Sequence, residues 1–144
     1  MEIETEPGPQ LPFSQLAAGT VLGPLRLTVS AAANERYWSA AGVDHPALAA
    51  GALYPPIAAN LTVLCFAQVC PEAMIQTRQH LRCHRRVAAG VELVTTGRIA
   101  RRYAKRGRTY VDVETTVATT EAPDDPVWTS ALSFTPAATL GAAS

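Results

Sequence analysis

The feature that most constrains this chain is the apolar segment of residues 57–69, which directly follows Pro55 and Pro56. Proline is tolerated in the first turn of a helix but cannot continue one, so a helix is predicted from the double proline to Pro71. Its apolar residues cover almost the whole circumference. Because a helix that is apolar all round belongs inside a core, the rest of the chain must supply a layer around it.

Alternation with a period of two follows this helix and predicts a run of antiparallel strands. The strand candidates are residues 74–84, 91–105, 108–120 and 127–135. Arg106-Gly107 is a candidate hairpin turn, and the sequence EAPDDP at 121–126 is a candidate break. In the third candidate Val111, Val113 and Val117 point one way and Asp112 and Glu114 the other, which is typical of a sheet with one covered face.

The first part of the chain predicts one strand and one helix. Residues 20–29 favour a strand that Gly23-Pro24 interrupts. Ser30 is a good N-cap for a helix over 31–41, and Gly42 is a good stop. Residues 43–54 show no clear period and are predicted to form a loop with one short turn.

These elements predict an α+β fold in which a curved antiparallel sheet wraps around one central apolar helix. The 144 residues, 48% hydrophobic and 17% charged, suit a single domain over 1–144. Residues 1–15 are expected to form a loose or edge-lying N-terminal tail, and residues 137–144 a C-terminal tail.

Composition also bears on location and partners. The apolar segment is too short to cross a bilayer, so no membrane partner is expected. An odd count of three cysteines and an acidic first segment favour a cytoplasmic protein with reduced thiols. Residues 73–110 hold ten arginines and lysines but one acid, Glu92, which predicts attraction to anionic partners.

Three stretches carry a resemblance to a known family. They are RYWSAAGVDHPAL at 36–48, ALYPPIAANL at 52–61 and KRGRTYVDVETTV at 105–117. With the order of elements, they resemble the hot-dog fold and, within it, the MaoC-like enoyl-thioester hydratase/dehydratase family. The resemblance implies an acyl-coenzyme A or acyl-carrier-protein thioester as substrate. Coenzyme A or phosphopantetheine would be part of that substrate, with no other cofactor.

The family's catalytic loop, Gly-Asp-x-Asn-Pro-x-His, is altered here. With Gly42 and Pro46 on the motif, Val43 falls on the aspartate and Leu48 on the histidine. The chain could therefore be a non-catalytic subunit that shapes the acyl tunnel of a heteromer. Alternatively, Asp44 and His45 could form a relocated catalytic pair, since a carboxylate and an imidazole can shuttle protons.

The resemblance also implies a set of substrate-binding residues and a second subunit. Tyr37, Tyr54 and Asn60 are the polar groups expected near the pocket, and Ile57 begins the helix whose first backbone amide polarises the thioester carbonyl in the family. We expect a homodimer, or a heterodimer with another hot-dog subunit, because such folds expose a sheet edge.

Arg101 and Arg102 are predicted to bind coenzyme A phosphates or the acidic face of an acyl carrier protein, since arginine forks match phosphate geometry. Nucleic acid is the less favoured partner, because no recognised nucleic-acid motif is present. His80 and His84 are predicted to share a strand face about 13 Å apart, so no metal site is expected.

Overall fold

The computed structural model describes residues 2–5, 9–42 and 44–137. They form a 3₁₀ turn, three α-helices and six strands. The turn is Phe13–Gln15, and the helices are α1 (Ala31–Ala41), α2 (Pro46–Ala49) and α3 (Ile57–Val69). The strands are β1 (Glu2–Thr5), β2 (Val21–Thr28), β3 (Met74–Cys83), β4 (Glu92–Lys105), β5 (Arg108–Thr119) and β6 (Ala122–Pro136).

All the strands belong to one antiparallel sheet in the order β1-β2-β4-β5-β6-β3. The β4–β5 connection is the predicted turn, and both Arg106 and Gly107 have positive φ angles, of 51° and 76°. Tight hairpins need this backbone twist to match the twist of their strands. On β5 the three valines predicted to face the core are fully buried. The predicted meander is confirmed for β4, β5 and β6, whereas β3 does not pair with β4 and lies beside β6 at the edge of the sheet.

Helix α3 packs on the concave face of the sheet. Its buried residues are Ile57, Ala58, Leu61, Thr62, Cys65 and Phe66. The hydroxyl groups of Thr62 and Thr115 lie 2.6 Å apart in this interface, so a hydrogen bond joins the helix to β5. Val63 is 38% exposed and Asn60 is exposed, so the sheet covers the helix on one side only. The expected wrapped helix is present, with one flank uncovered.

The first helix follows its sequence signals. The Ser30 hydroxyl accepts a hydrogen bond from the Ala33 N–H at 3.1 Å, and Gly42 ends the helix with a left-handed φ of 66°. The N-cap bond satisfies a backbone donor that the first turn leaves without a helical partner.

Besides the position of β3, the structure differs from the sequence-based expectation in three places. Residues 2–5 form an edge strand against β2, and Phe13 is buried, so these parts of the tail are edge-lying or packed rather than loose. The expected break at 121–126 belongs mostly to β6, where register shifts absorb its prolines. Strand β3 ends at Cys83, one residue earlier than predicted. Of the expected C-terminal tail, residues 138–144 lie outside the described residues.

Candidate functional site

A cavity of about 450 Å³ lies next to the N-terminal end of α3. Its walls come from the segment before α3, from the residues at and after the end of β3, and from β6. Its largely apolar lining includes Trp38, Ala52, Leu53, Pro55, Val87 and Trp128. Its polar groups come from His45 and from the run Cys83, His84, Arg85 and Arg86. An apolar cavity of this size with a few convergent polar groups is typical of a small-molecule site.

Helix α1 fixes the wall of the cavity through a buried asparagine. Asn34 donates a hydrogen bond from Nδ2 to the Ala52 carbonyl at 3.0 Å and accepts one at Oδ1 from the Tyr54 N–H at 2.9 Å. Trp38, one turn later, donates from Nε1 to the same Ala52 carbonyl at 2.9 Å. These bonds satisfy backbone groups that no strand or helix would satisfy in this segment.

An aromatic cluster surrounds the clamp that Asn34 and Trp38 form on the backbone of Ala52 and Tyr54. The Trp38 ring stacks on His45 with centroids 6.2 Å apart and meets Tyr54 edge to face at 5.0 Å. Tyr37 stacks on Tyr54 at 6.4 Å, and it lines a separate shallow depression with Arg36 rather than the cavity. Neither of the two predicted tyrosines is among the residues that line the cavity: Tyr54 lies between the lining residues Leu53 and Pro55, and Tyr37 contacts the Tyr54 ring.

His45 is held in a defined orientation. Its Nδ1 accepts a hydrogen bond from the Ala47 N–H at 3.0 Å and so caps α2. Because a backbone N–H can only donate, a neutral His45 ring carries its proton on Nε2. Nε2 of the neutral ring can then donate a hydrogen bond to a ligand, but it has no lone pair with which to accept a proton.

The residues around His45 do not assemble a catalytic pair in the described ranges. Asp44 is exposed, and no hydrogen bond joins it to His45 there. Leu48, at the family's histidine position, packs with Trp38, Ala47 and Ala52. Val43, at the aspartate position, lies outside the described residues.

The first N–H groups of α3 already donate hydrogen bonds to backbone carbonyls of this chain. Pro55 and Pro56 have no N–H, and the N–H groups of Ile57, Ala58 and Ala59 donate to the carbonyls three residues earlier at 3.0 to 3.1 Å. A thioester carbonyl would have to compete with these bonds. Ile57 is buried among the core residues, and Asn60 is exposed beyond the cavity lining.

The two arginines predicted to bind phosphate lie elsewhere. Arg102 donates from Nη1 to the carbonyls of Phe13 at 2.7 Å and Leu16 at 3.0 Å, and its guanidinium lies 4.8 Å from the centre of the Phe13 ring. Arg101 forms an ion pair with Asp112 at 2.9 Å. Neither lines the cavity. Arg102 thus anchors the 3₁₀ turn, and the cavity's own arginines are Arg85 and Arg86.

The polar mouth of the cavity is partly engaged. Arg85 pairs with Asp125 at 3.1 Å, and Nε2 of His84 lies 2.9 Å from the Thr129 hydroxyl. His84 lies beyond the end of β3 and lines this cavity, whereas His80 lines a groove with Arg101. The expectation that both histidines share one strand face is therefore wrong, because the strand stops between them. Among residues 2–5, 9–42 and 44–137, no three metal-ligating side chains cluster.

The three cysteines are free and differ in exposure. Cys65 and Cys70 are buried, and burial raises the pKa of the Cys65 thiol to about 11. Cys83 is exposed on the cavity wall, and partial desolvation raises its pKa as well. None of the three thiols is activated as a nucleophile, since activation requires a lowered pKa. Within the described part of the chain, no helix has the length and hydropathy to span a membrane.

No protein-family model and no curated protein matches this sequence. Solved structures do match it. R-hydratase PhaJ1 from Pseudomonas aeruginosa superposes with a TM-score of 0.71 at 17% identity over 88% of this chain and 86% of that chain. The HadBC (3R-hydroxyacyl-ACP dehydratase) complex from Mycobacterium tuberculosis gives 0.68 at 19% identity over 83% and 96%. A MaoC-like dehydratase from Rhodospirillum rubrum gives 0.68 at 18% over 88% and 96%.

The chain has the hot-dog fold. Its structural neighbours are MaoC-like dehydratases and (R)-hydratases. In this hot-dog domain α3 is the central helix, β2 to β6 form the sheet that wraps it, and β1 adds a short strand at one edge.

Sequence reasoning missed several residues of this hot-dog cavity. Asn34 and Trp38 are one helical turn apart, so the sequence could have indicated that both side chains leave the same face of α1 and reach the same neighbouring segment. Trp128 and His84 offered no such signal, because they meet only through the pairing of β3 with β6.

Proposed function

We propose that this chain binds an acyl thioester and acts as the acyl-binding subunit of a hydratase or dehydratase of the MaoC-like kind. The observation that carries the proposal is the apolar cavity beside the central helix, with its polar groups grouped at the end of β3. An acyl chain would occupy the part lined by Leu53, Val87 and Trp128. The fold and its neighbours support this choice over other small apolar ligands.

The head group of the thioester would lie at the polar side of the cavity. Arg86 and His84 line it, and Arg86 has an exposed guanidinium that can pair with a phosphate. Coenzyme A and phosphopantetheine on an acyl carrier protein present the same phosphate chemistry. They would be part of the substrate, and the proposal needs no other cofactor.

Three features favour a binding role over independent catalysis. Leu48 stands where the family resemblance expects a histidine, and it packs against Trp38. Asp44 and His45 do not form a hydrogen-bonded pair within the described ranges. The first amides of α3 are engaged with carbonyls of the chain. We infer that turnover depends on a second hot-dog subunit, as a two-subunit complex such as HadBC suggests.

A second candidate function keeps catalysis in this chain. His45 lies on the cavity wall and presents Nε2–H, which can donate to a thioester carbonyl. In that case His45 would polarise the carbonyl, and Asp44 would have to reach the substrate directly. Hydration of an enoyl thioester by the isolated chain would favour this candidate.

Binding calorimetry with coenzyme A and its butyryl, hexanoyl and octanoyl thioesters tests the proposal. Each buried methylene contributes about 0.8 kcal/mol, so we expect Kd to fall about fifteenfold for every two added methylenes until the cavity is full. Val87→Trp, which fills the cavity, should abolish this gain. Ala88→Trp is the matched control, since the neighbouring side chain is exposed and does not line the cavity. Equal Kd values for coenzyme A and all its thioesters would contradict the proposal.

A further inference from the structure

Ser130 on β6 carries a buried hydroxyl group without a partner. The residue is 5% exposed, and within the described part of the chain its Oγ has no hydrogen-bond partner. Native structures satisfy nearly all of their buried polar groups, because leaving one unpaired is unfavourable. Ser133 of the same strand follows that rule, since its hydroxyl donates to Asp112 at 2.6 Å. The exception at Ser130 indicates a partner from outside the chain, either a ligand or a water.

The Ser130 side chain points towards α3. Side chains two residues apart on a strand share a face, and Trp128 and Leu132, on either side of Ser130, both pack in the core. On β5 the residue directly opposite Ser130 is Thr115, and the Thr115 hydroxyl lies 2.6 Å from that of Thr62 on α3. Three hydroxyl groups thus gather between the sheet and the central helix, those of Thr62, Thr115 and Ser130.

The proton count of this hydroxyl cluster fixes what it can still bind. Thr62 donates its hydroxyl proton to the Ala58 carbonyl at 3.1 Å. The bond between the two threonines must then use the proton of Thr115, because each hydroxyl has only one. Thr115 keeps a lone pair that can accept, whereas Ser130 keeps its proton as well as its lone pairs. The cluster can therefore donate one hydrogen bond and accept another at the same place.

The hydroxyl cluster lies next to the candidate cavity, one residue pair further in. Cys83 and Trp128 pair in register, and both line the cavity. The next pair on the same face is Leu81 with Ser130. Two residues of a strand span about 7 Å. Leu81 is only half-buried, so a change of its rotamer can open this path. An acyl chain that passed Trp128 along β6 would reach the Ser130 hydroxyl.

We propose that Ser130 is a specificity-determining residue, and that this subunit selects acyl thioesters whose chain carries a hydroxyl group away from the thioester end. Such a hydroxyl group matches the cluster, because it accepts from Ser130 and donates to Thr115. A ketone accepts from Ser130 alone, and a methylene group leaves Ser130 without a partner. The Cβ atoms of directly opposite residues lie about 4.5–5.5 Å apart, which lets one oxygen bridge the two side chains. This inference rests on the proposed function, because it names the acyl chain that the cavity takes.

Binding calorimetry on the full chain tests this selection. The ligands are octanoyl-coenzyme A and its derivatives with a hydroxyl group or a ketone at each of the four carbons furthest from the thioester. We expect at least one hydroxylated thioester to have a Kd about three- to tenfold below that of octanoyl-coenzyme A, as one or two hydrogen bonds give. The ketone at the same carbon should fall between them. Ser130→Ala removes the donor, so the hydroxylated and plain thioesters should then bind equally.

Two further variants make the result specific. Ser133→Ala is the same substitution on the same strand, but Ser133 lies on the opposite face and bonds to Asp112, so the preference should persist. Thr115→Val removes the acceptor, so the hydroxylated thioester and the ketone should then bind equally. In urea unfolding of the ligand-free chain, Ser130→Ala should not lower the free energy of unfolding, whereas Ser133→Ala should, because only Ser133 loses a hydrogen bond within the chain.

Four results would overturn the inference. They are no preference for any hydroxylated thioester, a preference that survives Ser130→Ala, a loss of stability in Ser130→Ala equal to that in Ser133→Ala, and a crystal structure of the hydroxyacyl complex in which a water still bridges Ser130 and Thr115. Octanoyl-coenzyme A binding separates the two claims. If it binds and no hydroxylated chain binds more tightly, only this inference fails; if none of the thioesters binds, the proposed function fails.

Discussion

The backbone N–H of Ala47 donates a hydrogen bond to Nδ1 of His45 at 3.0 Å, and this contact limits what the imidazole can do in the cavity. Nδ1 is occupied, so a neutral ring contributes only the Nε2–H donor. A single hydrogen bond of this kind typically contributes about 0.5–1.5 kcal/mol. The contact fits a residue that orients a thioester better than one that removes a proton from it.

His45→Asn tests this limit. Asparagine is a good N-cap, so the variant retains an acceptor for the Ala47 N–H and removes only the ring. We expect octanoyl-coenzyme A binding to weaken by about two- to tenfold, because one donor is lost. If the chain were itself the catalyst through His45, the hydration rate would fall about a hundredfold or more. Such a loss, in enoyl-thioester hydration assays of the isolated chain, would contradict a binding role.

Replacing Asn34 should loosen the cavity wall. Asn34→Leu removes both bonds to the segment before α3 and leaves the partly buried Tyr54 N–H without its acceptor. An unsatisfied buried polar group costs about 1–3 kcal/mol, so the free energy of unfolding in urea should fall by that amount. Acyl-thioester affinity should fall as well. Glu35→Leu, at an exposed position of the same helix, is the control and should change neither quantity much. Unchanged stability in Asn34→Leu would show that the clamp is unimportant.

Arg102 and Arg101 should affect stability rather than coenzyme A binding. Arg102→Ala removes two hydrogen bonds to the carbonyls of Phe13 and Leu16, which we expect to lower the free energy of unfolding by about 1–3 kcal/mol. Arg101→Ala breaks a mostly exposed ion pair and should cost less than about 1 kcal/mol. Calorimetry should give the wild-type Kd for coenzyme A with both variants. A large loss of affinity would instead support their sequence-based assignment as phosphate ligands.

The buried Cys65 thiol should make stability depend on alkaline pH. Its pKa is about 11 when folded against an ordinary 9.0, so the folded state binds the proton more tightly than the unfolded chain. The associated stability is complete below pH 9 and is lost as the pH rises towards 11, by about 2–3 kcal/mol in total. Urea unfolding at pH 8 and pH 11 measures the loss, and Cys65→Ala should reduce it by about that amount. An identical pH dependence in the variant would contradict the burial argument.

The fold could be predicted from sequence because its signals are local. Pro55, Pro56 and Pro71 bracket the central helix, and the alternation of Val111 with Asp112 marks a sheet with one covered face. The segment at 121–126 was misleading, since its prolines break regular pairing but not the course of β6, whose register shifts accommodate them.

The site was harder to predict because its parts come from distant segments. Arg102 looks like a free phosphate ligand in sequence, yet its acceptors are carbonyls about ninety residues earlier, a contact no spacing rule reveals. His84 and Trp128 come together only when β3 pairs with β6. The sequence singled out the loop around His45, which lies on the cavity wall, but its hydrogen bond to Ala47 depends on the short helix α2.

Protection of Cys83 from a thiol reagent tests the central claim most directly, because its thiol lies on the cavity wall and is the exposed one of the three cysteines. In the native chain at pH 8.5 one thiol should react rapidly with a maleimide, and Cys83→Ser should abolish that reaction. Saturating octanoyl-coenzyme A should slow the labelling at least tenfold, whereas coenzyme A alone should slow it far less. Labelling of Cys83 at the same rate with and without the acyl thioester would show that the acyl chain does not occupy this cavity.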